Sequence, residues 1–458
     1  MRIKQIEVIL TWEDGTPVVP DVKVAPDVAT AAKIENGKSK LRTVKIQLGL
    51  SCNFECEYCN QRFVPHADST NPDDVKPFVD NMSTWFDGGS DGKGSGTKIE
   101  FWGGEPLVYW KTLKPLAEEL RNKYPNAIFG LITNGSLLDK EKNDWLEKLN
   151  FSVSVSHDGP GQFVRGPDPL DDPEQRERIL GFYRMQTRLG KSFSFNAMLN
   201  SKNQSRKEIY DWFVNLTGDE NVVLGEGSIV DAYDEEGIVN SLITKEEHFA
   251  FRQRAFGELY ASEGKIGFMA QLGKIDDFTN SILNHREAKY LGQKCGMDDE
   301  HSLAIDLRGN VMTCQNVSPL EVSKNGESHH GGTLDDYDNV EIKTSTHWSN
   351  RKECSGCPVL HLCKGACMFL DKKFWDISCA NAYSDNVALF CVAIASMTGY
   401  IPTLIKAEGL PLERQDIFGT VFEHKEDPKK KIIPIKVVSE KIGELDGVEV
   451  YGQAKLEV

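Results

Sequence analysis

The chain of 458 residues is short of several features that would classify it at once. It has no run of about 18 apolar residues, so no membrane-spanning helix is expected. Its opening stretch, MRIKQIEVILTWEDGT, brings in acidic side chains early and holds no apolar segment with a small-residue cleavage site. That argues against a secretory signal. A basic excess is also missing. The 53 Lys and Arg face 69 Asp and Glu, for a formal net charge of −16. Such a chain offers no broad positive face to phosphates, so neither nucleic acid nor an anionic membrane surface is expected as a partner. No internal repeat of roughly 20–50 residues is visible.

What remains is a core-forming composition, 40% hydrophobic and 27% charged. At about 100–200 residues per domain, the length suits two or three domains. Cysteine is plentiful, with 11 residues unevenly placed. Cys52, Cys56 and Cys59 come first, and none follows until Cys295. Then come Cys314, Cys354, Cys357, Cys363, Cys367, Cys379 and Cys391. Clustered thiols in a chain without an export segment point to metal ligation before disulfides.

Residues 1–42 read as a preface with one strand-like stretch, Lys4 to Thr11. From Thr43, strand-like runs recur: TVKIQLGL (43–50), KIEFW (98–102), AIFGLIT (127–133), FSVSVS (151–156), SFSFNAML (192–199) and NVVLG (221–225). Helix-period segments fall between them, near 73–86, 111–123, 138–148, 172–189 and 205–217. This alternation predicts βαβ units on a parallel sheet. The expected α/β fold over 43–230 is an open or partial (β/α)6 TIM-like barrel, with its chemistry at the carboxyl ends of the strands. The Gly/Ser-rich DGGSDGKGSGT (87–97) reads as a flexible surface connection. Residues 231–294 form a connection, helical from 245 to 292. Residues 295–400 read as a Cys-rich region with little regular structure, nucleated by metal. In the extension 401–458, KKIIPIKVV (430–438) and GVEVYG (447–452) are strand-like.

Cys52, Cys56 and Cys59 lie just past the first strand. Three thiolates on a tight loop can hold three irons of a four-iron cluster, which leaves the fourth iron free to bind a small chelating molecule. A structural zinc site is the alternative. It needs a fourth ligand, and His66 is compatible by spacing. CxxxCxxC after a first strand resembles the signature of the radical S-adenosylmethionine (SAM) enzymes, and the resemblance extends over about residues 43–230. Tyr58 matches the aromatic position that packs on the adenine. Gly103-Gly104-Glu105-Pro106 follows the second strand, where the family carries its GGEP motif. Glycine N–H groups there are suited to approach the amino and carboxylate end of SAM, and Glu105 to accept from its ammonium. Thr133-Asn134-Gly135 and Ser156-His157-Asp158-Gly159-Pro160 end the next two strands. Asn134 and Ser156 are the polar SAM contacts that the resemblance implies, with Arg165 as a carboxylate contact. His157 stands where family sequences usually have an aliphatic residue.

The later cysteines resemble the SPASM extension found on a subset of these enzymes. The resemblance implies one auxiliary cluster on Cys354, Cys357, Cys363 and Cys379. A second would sit on Cys295, Cys314 and Cys367. Three four-iron clusters, with SAM at one corner, leave eleven protein positions. The motifs supply ten. Cys391, His301 or an open site is the eleventh. A zinc ribbon, with two CxxC pairs, does not show this register.

The implied activity is reductive cleavage of SAM to a 5′-deoxyadenosyl radical that abstracts hydrogen from a substrate. The cofactors would be three four-iron clusters and SAM, with a flavodoxin- or ferredoxin-type electron donor. SPASM-bearing relatives mostly modify peptides. The expected function is therefore formation of a side-chain crosslink (thioether, C–C or C–O) in a ribosomally made precursor peptide, in the cytoplasm. The alternatives are oxidation of a small molecule, a sulfatase-maturase-like oxidation, and a zinc scaffold without catalysis. Sulfatase maturases carry an Asp after the GxxxxC cysteine. Here Gln315 stands there, so Asp231 or Asp306 would have to replace it. About 40 residues precede the first barrel strand, too few for a peptide-recognition domain of the usual size. A net −16 suits a basic peptide.

Overall fold

The computed structural model describes Glu7–Val8 and most of residues 41–420. Not described in that range are 65, 67, 68, 263–267, 285–290, 297, 323–325, 327, 341–345, 371 and 408. Four short strands within 436–457 complete it. After β1 (Glu7–Val8), the chain alternates β2 (Thr43–Gln47), α1 (Pro72–Asn81), β3 (Lys98–Trp102), α2 (Trp110–Lys123), β4 (Ile128–Thr133) and α3 (Lys140–Lys148). It continues through β5 (Phe151–Ser156), α4 (Pro173–Arg188), β6 (Phe193–Leu199), α5 (Arg206–Thr217) and β7 (Leu224–Ile229). All adjacent pairs from β2 to β7 are parallel, which is the expected partial barrel.

Local chemistry explains the boundaries. Asn71 and Thr244 form capping boxes for α1 and α6 (Lys245–Ala261), while Asp139, Asp172 and Ser205 cap α3, α4 and α5. Each such cap contributes about 1 kcal/mol. The FSVSVS run sets its two faces by strict alternation. Phe151, Val153 and Val155 are buried, and Ser152, Ser154 and Ser156 are half-buried on the opposite face. The rings of Phe101, Phe129 and Phe151 meet at 5.3–5.5 Å between sheet and helices. Lys45, Gln47, Trp102, Ser154, Ser156 and Asn196 alternate with buried residues and so face the barrel lumen.

The loop 87–97 departs from its expected flexibility. Asp91 pins it, accepting from the N–H groups of Lys93 (2.7 Å) and Ser95 (3.0 Å), from Ser95 Oγ and from Asn126 Nδ2 (2.7 Å). The helical stretch near 245–292 is two helices, α6 and α7 (Met269–Leu283).

Residues beyond 295 hold more regular structure than their sequence suggests. β8 (Ser302–Asp306) pairs parallel to β2 and so extends the barrel sheet at its first edge. β9 (Asn310–Met312) and β10 (His330–Thr333) follow antiparallel, for a nine-stranded sheet. After the single turns α8 (Lys352–Ser355) and α9 (Leu360–Cys363) comes α10 (Lys372–Thr398), 27 residues long. By length and composition α10 could cross a membrane, contrary to the sequence expectation, but 72% of its apolar window is buried inside the protein. It packs on α6, α7, α9 and β7. A buried Arg206–Asp385 pair joins α5 to α10, with Arg206 Nε also donating to the Gly227 carbonyl (3.0 Å).

β11 (Leu404–Ile405) pairs with β1, ahead of the single turn α11 (Leu412–Gln415). Further on, β12 (Lys436–Val438) pairs with β15 (Lys455–Glu457), and β13 (Lys441–Leu445) with β14 (Val448–Tyr451). Of the expected strand-like runs, residues 4–6, 9–11, 430–435, 447 and 452 lie outside the described residues.

Candidate functional site

The Cys52–Cys59 loop leaves the carboxyl end of β2 and is held from three sides. Gly104 N–H donates to Gly49 O (3.1 Å) and Glu105 N–H to Ser51 O (3.0 Å). Ser51 N–H donates to Tyr109 Oη (2.7 Å), and Glu57 N–H to Val164 O (2.9 Å). A Cβ on Gly104 would stand 2.4 Å from the carbonyl oxygens of Leu50 and Ser51. The glycine is needed because the cysteine loop passes directly over it. The Gly104 and Glu105 N–H groups of the GGEP turn are thus engaged with this segment, and Gly103 O accepts from Gln61 Nε2 (3.5 Å). Pro106 opens the buried 3-10 turn 106–109.

Glu105 is held by its own neighbours. Its carboxylate is 1% exposed. One oxygen accepts from Leu107 N–H (3.0 Å) and Thr133 Oγ1 (2.8 Å), the other from Asn134 N–H (2.7 Å). Burial still pushes its pKa up against those three donors. Glu105 thus ties the end of β3 to the end of β4. Asn134 is committed too. Its Nδ2 donates to Asn53 Oδ1 (2.9 Å), and its Oδ1 accepts from Ser136 N–H (3.0 Å). Asn53 donates back to Ser136 Oγ (2.8 Å). The residue between Cys52 and Phe54 is thereby clamped to the 133–136 turn. Asn53 was not singled out in the sequence, although a short polar residue inside a ligand loop is the available signal.

Tyr58 and Arg165 meet at Asp158. Tyr58 Oη donates to Asp158 Oδ2 (2.6 Å), and Arg165 Nη1 donates to Tyr58 Oη (2.6 Å). Burial and then the Asp158 charge push the Tyr58 hydroxyl pKa well up. Ser156 faces the lumen, half-buried, at the end of β5. His157 has a packing explanation. It is 1% exposed, stacks on Trp212 at 4.9 Å, bonds Asp168 through Nε2 (2.9 Å), and accepts from Gly159 N–H at Nδ1 (3.0 Å).

The thiols fall into three groups by mutual electrostatic influence. Burial, then neighbouring charges that include each other, raise Cys52 and take Cys56 up to about 12 beside Cys59. Cys357 is pushed up to about 12 by burial and by Cys363 and Cys379, and Cys354 is raised by burial and the same neighbours. Burial and Cys295 take Cys314 up to about 12, with Cys367 close by. Buried neighbouring thiols resist ionisation, and a cationic metal would stabilise their thiolate forms. The donor set therefore fits iron–sulfur ligation. Among the described residues, no three His, Cys, Asp or Glu side chains converge on a single-ion site. A four-iron cluster binds each thiolate to a different iron and does not need that convergence.

Donors already aim at several sulfurs. Tyr233 Oη reaches Cys367 Sγ (3.5 Å), Asn316 N–H reaches Cys314 Sγ (3.4 Å), and Arg414 Nη1 reaches Cys379 Sγ (3.6 Å). Such bonds tune cluster potentials. One of the eleventh-ligand alternatives loses ground. Cys391 is fully buried in α10, donates to Pro402 O (3.6 Å), and feels only burial and Arg252. The His301 ring is bonded to Asp299 (2.8 Å). His66 is exposed.

Comparison with known proteins agrees with this geometry. The family model described as the radical SAM superfamily matches residues 46–213. A radical SAM cyclopropyl synthase, TigE, from Paramaledivibacter caminithermalis is 21% identical over 375 residues, 75% of this chain and 71% of that protein. A cysteine-type anaerobic sulfatase-maturating enzyme from Clostridium perfringens is 22% identical over 69% of this chain and 85% of that protein. Among solved structures, native anSMEcpe with bound AdoMet and Kp18Cys peptide superposes with a TM-score of 0.53 at 17% identity, covering 77% of this chain and 99% of that one. That likeness is one of fold. Residues 46–213 form a radical SAM domain.

Proposed function

We propose that the enzyme carries three four-iron clusters and forms a side-chain crosslink in a ribosomally made peptide. Cys52, Cys56 and Cys59 would hold the SAM-binding cluster. Cys354, Cys357, Cys363 and Cys379 would hold one auxiliary cluster, and Cys295, Cys314 and Cys367 the other. When bound, the first cluster and SAM supply reductive cleavage and a 5′-deoxyadenosyl radical that takes a hydrogen atom from substrate.

The observation that carries the reading is the assembly of three thiol groups from segments as far apart as Cys295 and Cys367. The residues around them have definable tasks. Tyr58 and Arg165 orient SAM, with Ser156 at the lumen wall. The half-buried polar lumen receives the substrate and limits water. Lys294 is exposed beside Cys295. This is a suitable anchor for substrate polar groups at the second auxiliary site.

The peptide named in the solved relative and the sulfatase-maturating activity named for one curated relative support a peptide or protein substrate. Formylglycine formation is not favoured. Gln315 Oε1 accepts from Lys45 Nζ (3.5 Å) and its carbonyl from Gln47 (2.7 Å), which leaves a neutral amide where a base would stand. Asp306 is bonded to the N–H groups of Arg308 and Asn310 (both 2.9 Å). The test is co-expression with short peptides encoded nearby, followed by mass spectrometry. A loss of about two mass units with a new side-chain bond supports the reading. Unmodified peptide alongside turnover of an amino sugar or alcohol overturns it.

A further inference from the structure

Residues 230–242 leave the end of β7 and lead to the start of α6, and on the way they meet all three thiol groups. Tyr233 Oη donates to Cys367 Sγ (3.5 Å). Ala232 N–H donates to Ser378 Oγ (3.2 Å), the residue before Cys379. Leu242 N–H donates to Asn381 Oδ1 (3.1 Å), about one turn further along α10. Asn240 Nδ2 donates to Glu57 Oε2 (3.0 Å), and Glu57 lies between Cys56 and Cys59. Gly237 packs against the same residue: a Cβ there would stand 3.6 Å from Glu57 O.

The segment is itself held in place. Val230 N–H donates to Leu199 O (2.9 Å), and Ser201 N–H to Asn240 O (2.9 Å). Ser201 Oγ donates to Val239 O (2.7 Å). Asp234 Oδ1 accepts from Gly237 N–H (2.6 Å) and closes the turn between them. Asn240 and Ser378 are fully buried. A bond from a buried amide to a carboxylate is one of the stronger kinds, and removing one partner there is costly.

We propose that residues 230–242 are a strap that sets the first cysteine loop in register with both auxiliary thiol groups. Asn240 is the positioning residue that fastens Glu57, and with it the backbone between two ligands, to this strap. The inference rests on the reading of Cys52, Cys56 and Cys59 as ligands of the SAM-binding cluster. A small displacement of that loop is magnified in the rate, because cleavage needs SAM in a reactive geometry.

The test is a double-substitution cycle in the full chain, reconstituted with iron and sulfide. N240D sets a second carboxylate against Glu57. In the E57Q background the new amide can donate to the new carboxylate, so the contact returns in reverse. The rate of 5′-deoxyadenosine formation is measured with SAM and titanium(III) citrate, without peptide, together with iron content and the electron paramagnetic resonance spectrum with and without SAM. N240D alone is expected to slow cleavage on the order of tenfold and to alter the SAM-dependent part of the spectrum. In the E57Q background the same substitution should cost less than about twofold. The auxiliary signals should match wild type throughout. Equal slowing in both backgrounds, with or without loss of iron, or a wild-type rate in N240D, would overturn the inference. A wild-type protein that holds its iron yet leaves SAM intact would instead overturn the assignment of the cysteine loop.

Discussion

At the scale of single residues, the site depends on backbone atoms brought unusually close. Gly104 is the clearest case, with the Leu50 and Ser51 carbonyls where its Cβ would be. Gly104→Ala should displace the cysteine loop and cost the first cluster. The reconstituted variant is expected to lose about four of about twelve irons while the others stay. Cys56→Ala is the chemical counterpart. It should abolish 5′-deoxyadenosine formation and leave the auxiliary-cluster absorption. Persistent deoxyadenosine would show that this loop is not the SAM site. Glu105→Gln puts an amide N–H₂ against either the Asn134 N–H or the Leu107 and Thr133 donors. It should destabilise the protein by about 1–3 kcal/mol, measured by denaturant unfolding. Residue identities here were easy to single out in the sequence, but their partners were not. GGEP and TNG are visible as motifs, yet nothing local says that Glu105 points inward to Thr133 and Asn134. Contacts between residues nearly 30 positions apart depend on the register of β3 and β4.

At the scale of elements, strands and helices from β2 to α5 could be read from the alternation of short apolar runs with helix-period segments. Three elements, β8, β9 and α10, were not delimited, because burial hides their faces. β8 and β9 span five and three residues and are buried almost throughout, so no alternation marks them. α10 is buried around much of its circumference, so it shows an apolar run without a polar stripe. The α6–α10 joint has a pH consequence. His248 Nδ1 bonds Ser384 Oγ (2.9 Å), which also accepts from Arg252 Nε (3.0 Å). Burial, and then Arg252, lower the His248 pKa from 6.5 to about 4. A histidine whose folded pKa is depressed takes up its proton first in the unfolded chain. Its contribution to stability is therefore present above pH 6.5 and lost as the pH falls toward 4. The loss is at most about 3 kcal/mol. Thermal melts from pH 7 to 4 should show a steeper decline for the native protein than for His248→Gln.

At the scale of the whole molecule, the Cys-rich half is part of the barrel rather than an appendage. Its β8 pairs with the strand that feeds the first cysteine loop, and Arg206–Asp385 fastens α10 to α5. A change at one auxiliary site should therefore be felt globally. Cys357→Ala is expected to leave part of the SAM cleavage, stop substrate conversion and lower the melting temperature, because metal supplies folding energy there. The grouping of ten thiols was implied by the family resemblance. The rejection of Cys391 required the fold, since a cysteine in an apolar run looks the same whether or not it approaches a cluster.

The central claim is that these thiols hold iron–sulfur clusters, one of them serving SAM. Elemental analysis after oxygen-free reconstitution tests it most directly, combined with a reductant-dependent assay for 5′-deoxyadenosine. The account predicts a brown protein with about 12 irons per chain that cleaves SAM. A colourless protein containing zinc and leaving SAM intact would contradict it.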